Sequence, residues 1–584
     1  MICKTLPVPD SHIEAVDVFS GYDHNLRIAN GAFYDMRNMT SDYYPVLSPR
    51  GPRGVYATLA APAGLIAKDA LCYVDGADLY INHYKVDAGL SVEYDEDGNL
   101  KQKQLVSMGS YIIILPDKKY INTVLKTGED YQCLPIEQIN TVDGASFSLC
   151  DINGNKYTDT IIGPDAPEDT TKTWLDTSSD PHSLKKYTAS NDMWVSVATT
   201  YIKIEAPGIG AGLNQYDGVT ISGVEDAALQ SLNASAVLWA CEEDYIVVVG
   251  LLDHVTEQDK PLTVARTMPL MDFVTESGNR LWGCRYGIAA NGEVVNEIYA
   301  SKLGDFKNWN CFMGISTDSY VASCGSDGQF TGAITHLGYP LFFKENCIHK
   351  VYGQFPSNFQ IQETECRGVE RGCERSLAVV NETLFYKAKT GVCAFGGSLP
   401  QEISYAFGDV RYSNAVAGGH GNKYYISMAD HSGQYHLFVY DTGKNMWHKE
   451  DNTRAACFCS CRNELYFIDY NSKQIMAELG AGDELVSWMV ETGDIGLDRP
   501  EAKYLSRLKI RMALDAGATV HIYAQYDYSR DWELLYEWRT PFYRSVSIPV
   551  RPRRCDHLRL KIEGTGNAKI YSILKVIEEG SVYE

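Results

Sequence analysis

Short apolar runs and polar turns alternate along most of the chain, and one unit keeps returning. It consists of a Gly or Asn turn, an apolar strand of Leu-Tyr or Leu-Phe character, a tight turn and a second strand. It occurs as GADLYINHYKVD from Gly76, GSYIIILPDKKYINTV from Gly109, GNRLWGCRYG from Gly278, GYPLFFKENCIHKVYG from Gly338, NETLFYKAKTGVCAFGG from Asn381, GNKYYISMADHSGQYHLFVYD from Gly421 and RNELYFIDYNSKQIMAEL from Arg462. The last four starts fall about 40 residues apart, the length of one four-stranded blade of a β-propeller. Period-2 alternation and the turns Pro116-Asp117, Lys389-Thr390-Gly391 and Asp430-His431-Ser432-Gly433 support hairpins inside each unit. Two hairpins lie before residue 124 and five after 278, so the pattern predicts an interrupted propeller and leaves six or seven blades open.

The interruption has its own texture. GPDAPEDTTKTWLDTSSDPHS is polar and Pro-rich, with a long loop expected near residues 163–190, while WVSVATTYIKIEAP alternates as a strand does. After residue 484 the segments YLSRLKIRMAL, ATVHIYAQYD, WELLYEW, SVSIPV, HLRLKIEG and AKIYSILKVIE read as six strands of a terminal sandwich. Helical periodicity is scarce outside a short candidate near Glu225 to Leu232. The predicted fold is all-β: an N-terminal arm with the first blades over 1–124, an inserted β-rich domain over 125–235, the remaining blades over 236–483, and a β-sandwich over 484–584.

Composition supports this picture, since 39 Tyr among 584 residues suit pleated, half-buried surfaces. A formal charge of −23 argues against a surface that grips nucleic acid, which works by setting Lys and Arg against phosphates. The start of the chain has no basic segment followed by an apolar run, and no window approaches the roughly 18 apolar residues of a span, so no secretory signal or membrane anchor is expected. Sixteen Cys without dense regular spacing read as reduced, mostly buried thiols. The sequons at Asn38, Asn233 and Asn381 then read as chance matches.

Candidate chemistry is thin. Cys457, Cys459 and Cys461 of CFCSC share one face of a strand, with neighbours about 6.6 Å apart, too far for one zinc ion without further ligands. They read as small buried hydrophobes. Cys366 and Cys373 lack a second pair at finger spacing, and Cys555, Asp556 and His557 form a single clump. The glycines Gly208, Gly210 and Gly212 are followed by no Lys-Ser/Thr and open no helix, so a loop is expected there. Ser326-Asp327-Gly328 echoes a sialidase Asp-box without its Trp, and no GxSxG elbow occurs. No catalytic, cofactor or metal residue is assigned, and the expectation is a protein that is not an enzyme. Trp309, Trp447 and Trp532 each follow an Asp and a polar turn, Asp305, Asp441 and Asp527 respectively, and are assigned to structural packing.

Two segments also resemble a known family. FSGYDHNLRIANGAFYDMRNMTSDYYPVLSPRGPRG from Phe19 to Gly54, and the central NEIYASKLGDFKNWNCF with TDSYVASCGSDGQFTGAITHLGYPLFFKENCIHKVYGQFPSNF, resemble tail-nozzle or packaged-DNA stabilisation proteins of short-tailed bacteriophages. The similarity runs over about residues 15–410 and is weak over the insertion and the C-terminal sandwich. It implies a structural virion protein of the tail, assembled in the host cytoplasm. Such a protein forms a homo-oligomeric, hexameric ring, meets the portal adaptor, other tail proteins and tail fibres, and lets genomic DNA pass without specific binding. An acidic lumen suits that passage, because carboxylates repel phosphates. The alternative is a carbohydrate- or receptor-binding propeller elsewhere in the tail, with a tail-associated glycoside hydrolase behind it.

Overall fold

The computed structural model describes residues 11–96, 98–124, 131–289, 292–480, 482, 485–498 and 502–579. It is almost wholly β, and the helical turns among the described residues are four short 3-10 turns. One of them, Ala227–Leu232, occupies the helical candidate of the sequence, where the Asp226 carboxylate accepts from the Ala228 amide at 2.8 Å. Seven four-stranded sheets follow the blade pattern, with strands ordered as in the chain over residues 62–86, 104–135, 273–323, 332–365, 378–402 and 413–449. The seventh joins three strands of residues 455–477 to the earlier strand Gly54–Thr58. The fold is a β-propeller with an inserted β-rich domain and a C-terminal β-sandwich, and seven blade-like sheets are present among the described residues.

The chain divides into two compact units. In the unit spanning most of residues 103–342, the first strand of a blade, Phe273–Ser277, packs against the first strands of two others, Gln104–Met108 and Gly332–His336. Met108, Ile113, Leu281 and Trp309 fill one inter-blade core there, and Trp282, Ile298, Phe342 and Val351 fill the next. The same unit holds the insertion. Its seven-stranded sheet runs from Gln138–Cys150 to Thr256–Arg266, so strands up to Arg266, expected in the blades, belong to the insertion instead. The apolar run Tyr245–Val249 imitates a blade strand in sequence but pairs with Tyr201–Glu205. The expected boundaries at 125 and 484 lie outside the described residues.

The other unit, made of residues up to 102, 343–348 and 364 onward, repeats the blade geometry. Ser413–His420 packs between Ala378–Val380 and Ala455–Cys461, which packs in turn on Pro62–Ala67. All six strands read from the sequence after residue 484 are present in its sandwich. One sheet of the sandwich takes Ser11–Val16 as an edge, and the other takes Gly21–Tyr22 and Ala32–Arg37. The N-terminal arm therefore belongs to the C-terminal sandwich as well as to the propeller. Its pairing with Ser487–Thr492 and Ala568–Glu579 was hidden because sheet partners so distant in sequence leave no local signal.

Between these two attachments the arm crosses a buried charged cluster. Arg53, one residue before the strand Gly54–Thr58, donates from Nε to Glu478 at 2.5 Å, from Nη1 to Asp451 at 2.7 Å, and from Nη2 to Glu450. Its guanidinium also lies 5.1 Å from the Phe467 ring centroid. Arg50 adds a contact to Asp451 at 3.2 Å and one to Asn38 at 3.0 Å. Arg53, Glu450 and Glu478 are all under a tenth exposed. Burial, with the neighbouring Glu478 charge, pushes the Glu450 carboxyl up to about 8 against the pull of Arg53 and Arg50.

The folded protein thus keeps a proton on Glu450 that the unfolded chain has released, in the window between the ordinary 4.5 and about 8. Stability contributed by this group falls as pH rises through that window. Thermal unfolding between about pH 5 and 8 is expected to show this decline, and Glu450→Gln to flatten it. Arg53→Met removes the one cation shared by Glu450, Asp451 and Glu478, leaving Arg50 on the first two, and is expected to cost about 3–5 kcal/mol in urea unfolding. A change of under 1 kcal/mol would show that the cluster holds nothing in place.

Candidate functional site

Two of the three flagged Trp residues are interior. Trp309 is 4% exposed, sits in an inter-blade core and donates from Nε1 to the Phe306 carbonyl at 2.9 Å. Trp447 is 3% exposed, donates to the Ile403 carbonyl at 2.8 Å and lies 4.7 Å from Phe407 and 4.9 Å from Tyr440 between ring centroids. The arm crosses its backbone at Gly21, where φ is +86° and a Cβ would stand 2.3 Å from the Trp447 carbonyl oxygen, so only glycine fits. Trp532 differs. It is half-buried in the sandwich, with Lys561 Nζ 5.0 Å from its ring centroid, beside the edge strand Glu533–Trp538, where no neighbouring strand covers it.

The other sequence candidates stay scattered. Cys457 and Cys459 pack against the core shared by residues 455–477 and 62–86, and burial pushes both thiols up to about 12, far from a reactive thiolate. Burial likewise raises Cys366, Cys373 and Cys555 to about 11. The Gly208–Gly212 loop is held by Asn140, which donates to the Ile209 and Ala211 carbonyls at 3.0 and 2.8 Å. The Ser326 hydroxyl lies 2.8 Å from His349 Nε2.

What the structure does bring together is a pocket of about 270 Å³ beside the blade of residues 378–402. Tyr405 stands at its rim, 81% exposed. This Tyr begins a one-turn 3-10 segment, Tyr405–Phe407, whose Phe407 is buried against Trp447 and whose Ala406 carbonyl accepts from the His24 amide at 2.7 Å. Phe407 anchors the turn, and Tyr405 projects outward from the anchored backbone.

Glu402 supplies the acceptor side of the pocket. Its Oε2 receives Arg367 at 2.9 Å and Thr390 at 3.3 Å, and its Oε1 receives Ser404 at 3.1 Å. The turn carrying Thr390 passes so close that a Cβ on Gly391 would stand 2.0 Å from Ser404 Oγ. Lys387, buried, donates to Glu370 at 2.7 Å and to the Ala388 carbonyl at 2.6 Å at the pocket wall. Asn25 of the arm, Asp409 and Arg411 complete the lining. An exposed tyrosine at the rim of a pocket lined by fixed donors and acceptors is suited to holding a polar ligand with one apolar face.

No protein-family model matches this chain, and no curated protein does. Among solved structures it is similar to an exo-β-1,3-galactanase from Phanerochaete chrysosporium, at 8% identity and a TM-score of 0.21, over 52% of this chain and 94% of that one. It is also similar to apo AztD from Citrobacter koseri, at 10% and 0.29, over 71% and 94%. A third is the Trypanosoma rangeli sialidase, at 10% and 0.18, over 84% and 94%. Likeness at this level concerns the architecture alone. Several of these structures are hydrolases, so the expectation that the chain is not an enzyme is withdrawn, and likeness this distant assigns it no activity.

Tyr405 escaped the sequence reading because QEISYAFGDVRY has the look of any polar loop, and exposure leaves no mark in it. The two kinds of aromatic separate in stability. Trp447→Ala is expected to cost about 3–5 kcal/mol. Tyr405→Ala is expected to stay within about 0.5 kcal/mol. Chemical unfolding of the two variants side by side checks the contrast, and equal losses would place Tyr405 in the packing as well.

Proposed function

We propose that this protein is a recognition propeller of a bacteriophage tail that binds a carbohydrate or a carbohydrate-bearing receptor through the Tyr405 pocket. The observation that carries the reading is a tyrosine left 81% exposed over a pocket whose acceptor, Glu402, is already held by Arg367, Thr390 and Ser404. Exposed aromatics are common singly on protein surfaces. One set over a preorganised polar pocket offers what a sugar ring needs, a surface for its C–H face and partners for its hydroxyls. The tail setting comes from the resemblance of residues 19–54 and the central segment to phage tail proteins.

That resemblance also favours a second reading, a tail nozzle assembled as a ring around the DNA path. Particle images showing a ring with a central channel would support it.

Glycan-array binding of the full chain tests the first reading. Retention of a defined set of glycans is expected, with at least tenfold weaker binding in Tyr405→Ala and in Glu402→Gln. An array with no bound glycan, or variants that bind like the parent, would refute it. Release of reducing sugar from a bound glycan, lost with one carboxylate, would turn the reading into a hydrolase.

A further inference from the structure

The C-terminal sandwich has a cavity of its own, about 240 Å³, between the loops of residues 26–31 and 492–498. Its floor breaks the packing rule of the domain. The inward face of the sheet holding Ser11–Val16 and Ala568–Glu579 carries an aliphatic row, with Leu508, Ile510, Ile573 and Ile577 each at most 4% exposed, and His12 joins the same face opposite Ile577, its Nε2 3.4 Å from Glu14 Oε1. Into this row fall Glu14 and Lys575, which stand directly opposite each other across the strand pair. Lys575 is 5% exposed and donates to Glu14 Oε2 at 2.9 Å and to Asn30 Oδ1 at 3.1 Å. Ser11–Val16 meanwhile turns Ile13 outward, 64% exposed, so the strand hides its charge and shows its apolar residue.

Only the Lys575 end of the pair is buried, the Glu14 side chain being 21% exposed, and a buried charge held by a partner contributes less to stability than well-packed apolar residues of the same volume. Its position at the floor of an open cavity therefore calls for a role beyond packing. The mouth gives a second, independent sign. Leu26 and Leu497, two of the cavity's lining residues, are 87% and 44% exposed, an aliphatic rim left for something to cover.

We propose that this cleft is a second ligand site, which binds a neutral polyhydroxylated ring of the pyranose class. Lys575 is paired with Glu14 and Asp494 with Arg559 at 2.5 Å, and the other charged lining residues, Arg27 and Asp498, are opposite in sign, so a charged ligand gains little over a neutral one. Hydrogen-bonding capacity remains: one N–H of the Lys575 ammonium, one of the Asn30 amide and the lone pairs of Glu14. Donors and acceptors side by side match hydroxyl groups, each of which donates and accepts at once. Val16, Ile573 and the leucines of the rim supply the apolar wall for the ring's C–H surface. The site stands on its own residues, apart from the Tyr405 pocket.

The test is titration of the full-length chain with free galactose, glucose, mannose and N-acetylglucosamine, followed by calorimetry and saturation-transfer NMR. At least one sugar is expected to bind, with Kd raised tenfold or more in Asn30→Ala and less than twofold in Tyr405→Ala. Asn30→Ala leaves the Glu14–Lys575 pair intact, and an unchanged thermal midpoint shows that the fold is kept. The paired change Glu14→Gln with Lys575→Met, which strands no charge, is expected to abolish binding. The proposal is overturned if no sugar binds, if Asn30→Ala binds like the parent, or if only Tyr405→Ala loses binding. That last result would assign the sugar to the blade pocket and leave the first reading standing.

Discussion

Arg53 stands where the chain stops being an arm and becomes the closing strand of a blade, and it meets three carboxylates from two blades there. Joining Gly54–Thr58 to Gln474–Ala477 closes a loop of some 400 residues, an entropic cost of ~5 kcal/mol on chain statistics alone. Four antiparallel ladder contacts do little against such a cost by themselves. The buried cluster fixes both the position and the register of the strand, because the guanidinium fork fits one arrangement of acceptors. N-terminal to Arg53 the same arm is tied by Lys423 to Asp42 at 2.5 Å, Ser41 to Asp441 at 2.6 Å and Lys449 to Asp35 at 2.8 Å. The cluster is costly to bury, so its value lies in specifying where the arm sits.

Elements whose partners lie close in sequence were legible. Each blade is a meander of short strands joined by tight turns, so the repeat, the turn residues and the period-2 pattern all come from contacts within about 40 residues. The six sandwich strands after residue 484 were legible from their own period-2 alternation, although Lys503–Leu514 pairs with the distant Ala568–Glu579. What failed to show was every long-range pairing: the arm with the sandwich, the closing strand with its blade, and Tyr245–Val249 with the insertion. A strand of Ile and Val reads alike whichever sheet receives it, and the 3.3 Å-per-residue geometry carries no address.

The sites were less legible than the fold, and for a different reason. Trp309 and Trp447 announce themselves, because a large ring after an Asp turn is conspicuous and burial is its usual fate. Trp532 shares the local pattern but lies beside a sheet edge, so the same signal there means a half-buried ring. Tyr405 is ordinary in sequence and becomes distinctive only through Phe407 beside it, whose burial against Trp447 turns the tyrosine outward. Lys575 did leave a trace. In Ile573-Leu-Lys-Val-Ile577 the period-2 alternation sets Lys575 into an apolar row, an interruption that reads as noise unless the facing strand is known.

Both pockets depend on the arm. Asn25 lines the one and Glu14 and Asn30 the other, and all three lie N-terminal to the Arg53 cluster. A chain with the arm undocked would lose a wall of the blade pocket and the carboxylate of the sandwich cleft together, even with the blades of residues 378–449 intact. Ligand at either site then favours the docked arm by the free energy of its binding, since only the docked form offers the complete pocket. On the two proposals above, the sites would thereby be coupled without touching. Whatever fills one raises the population in which the other is whole, and the size of that coupling is limited by how often the arm leaves on its own. The Arg53 cluster, the ties at Asp35, Ser41 and Asp42, and the pairing of Ser11–Val16 and Ala32–Arg37 with the sandwich together set that frequency.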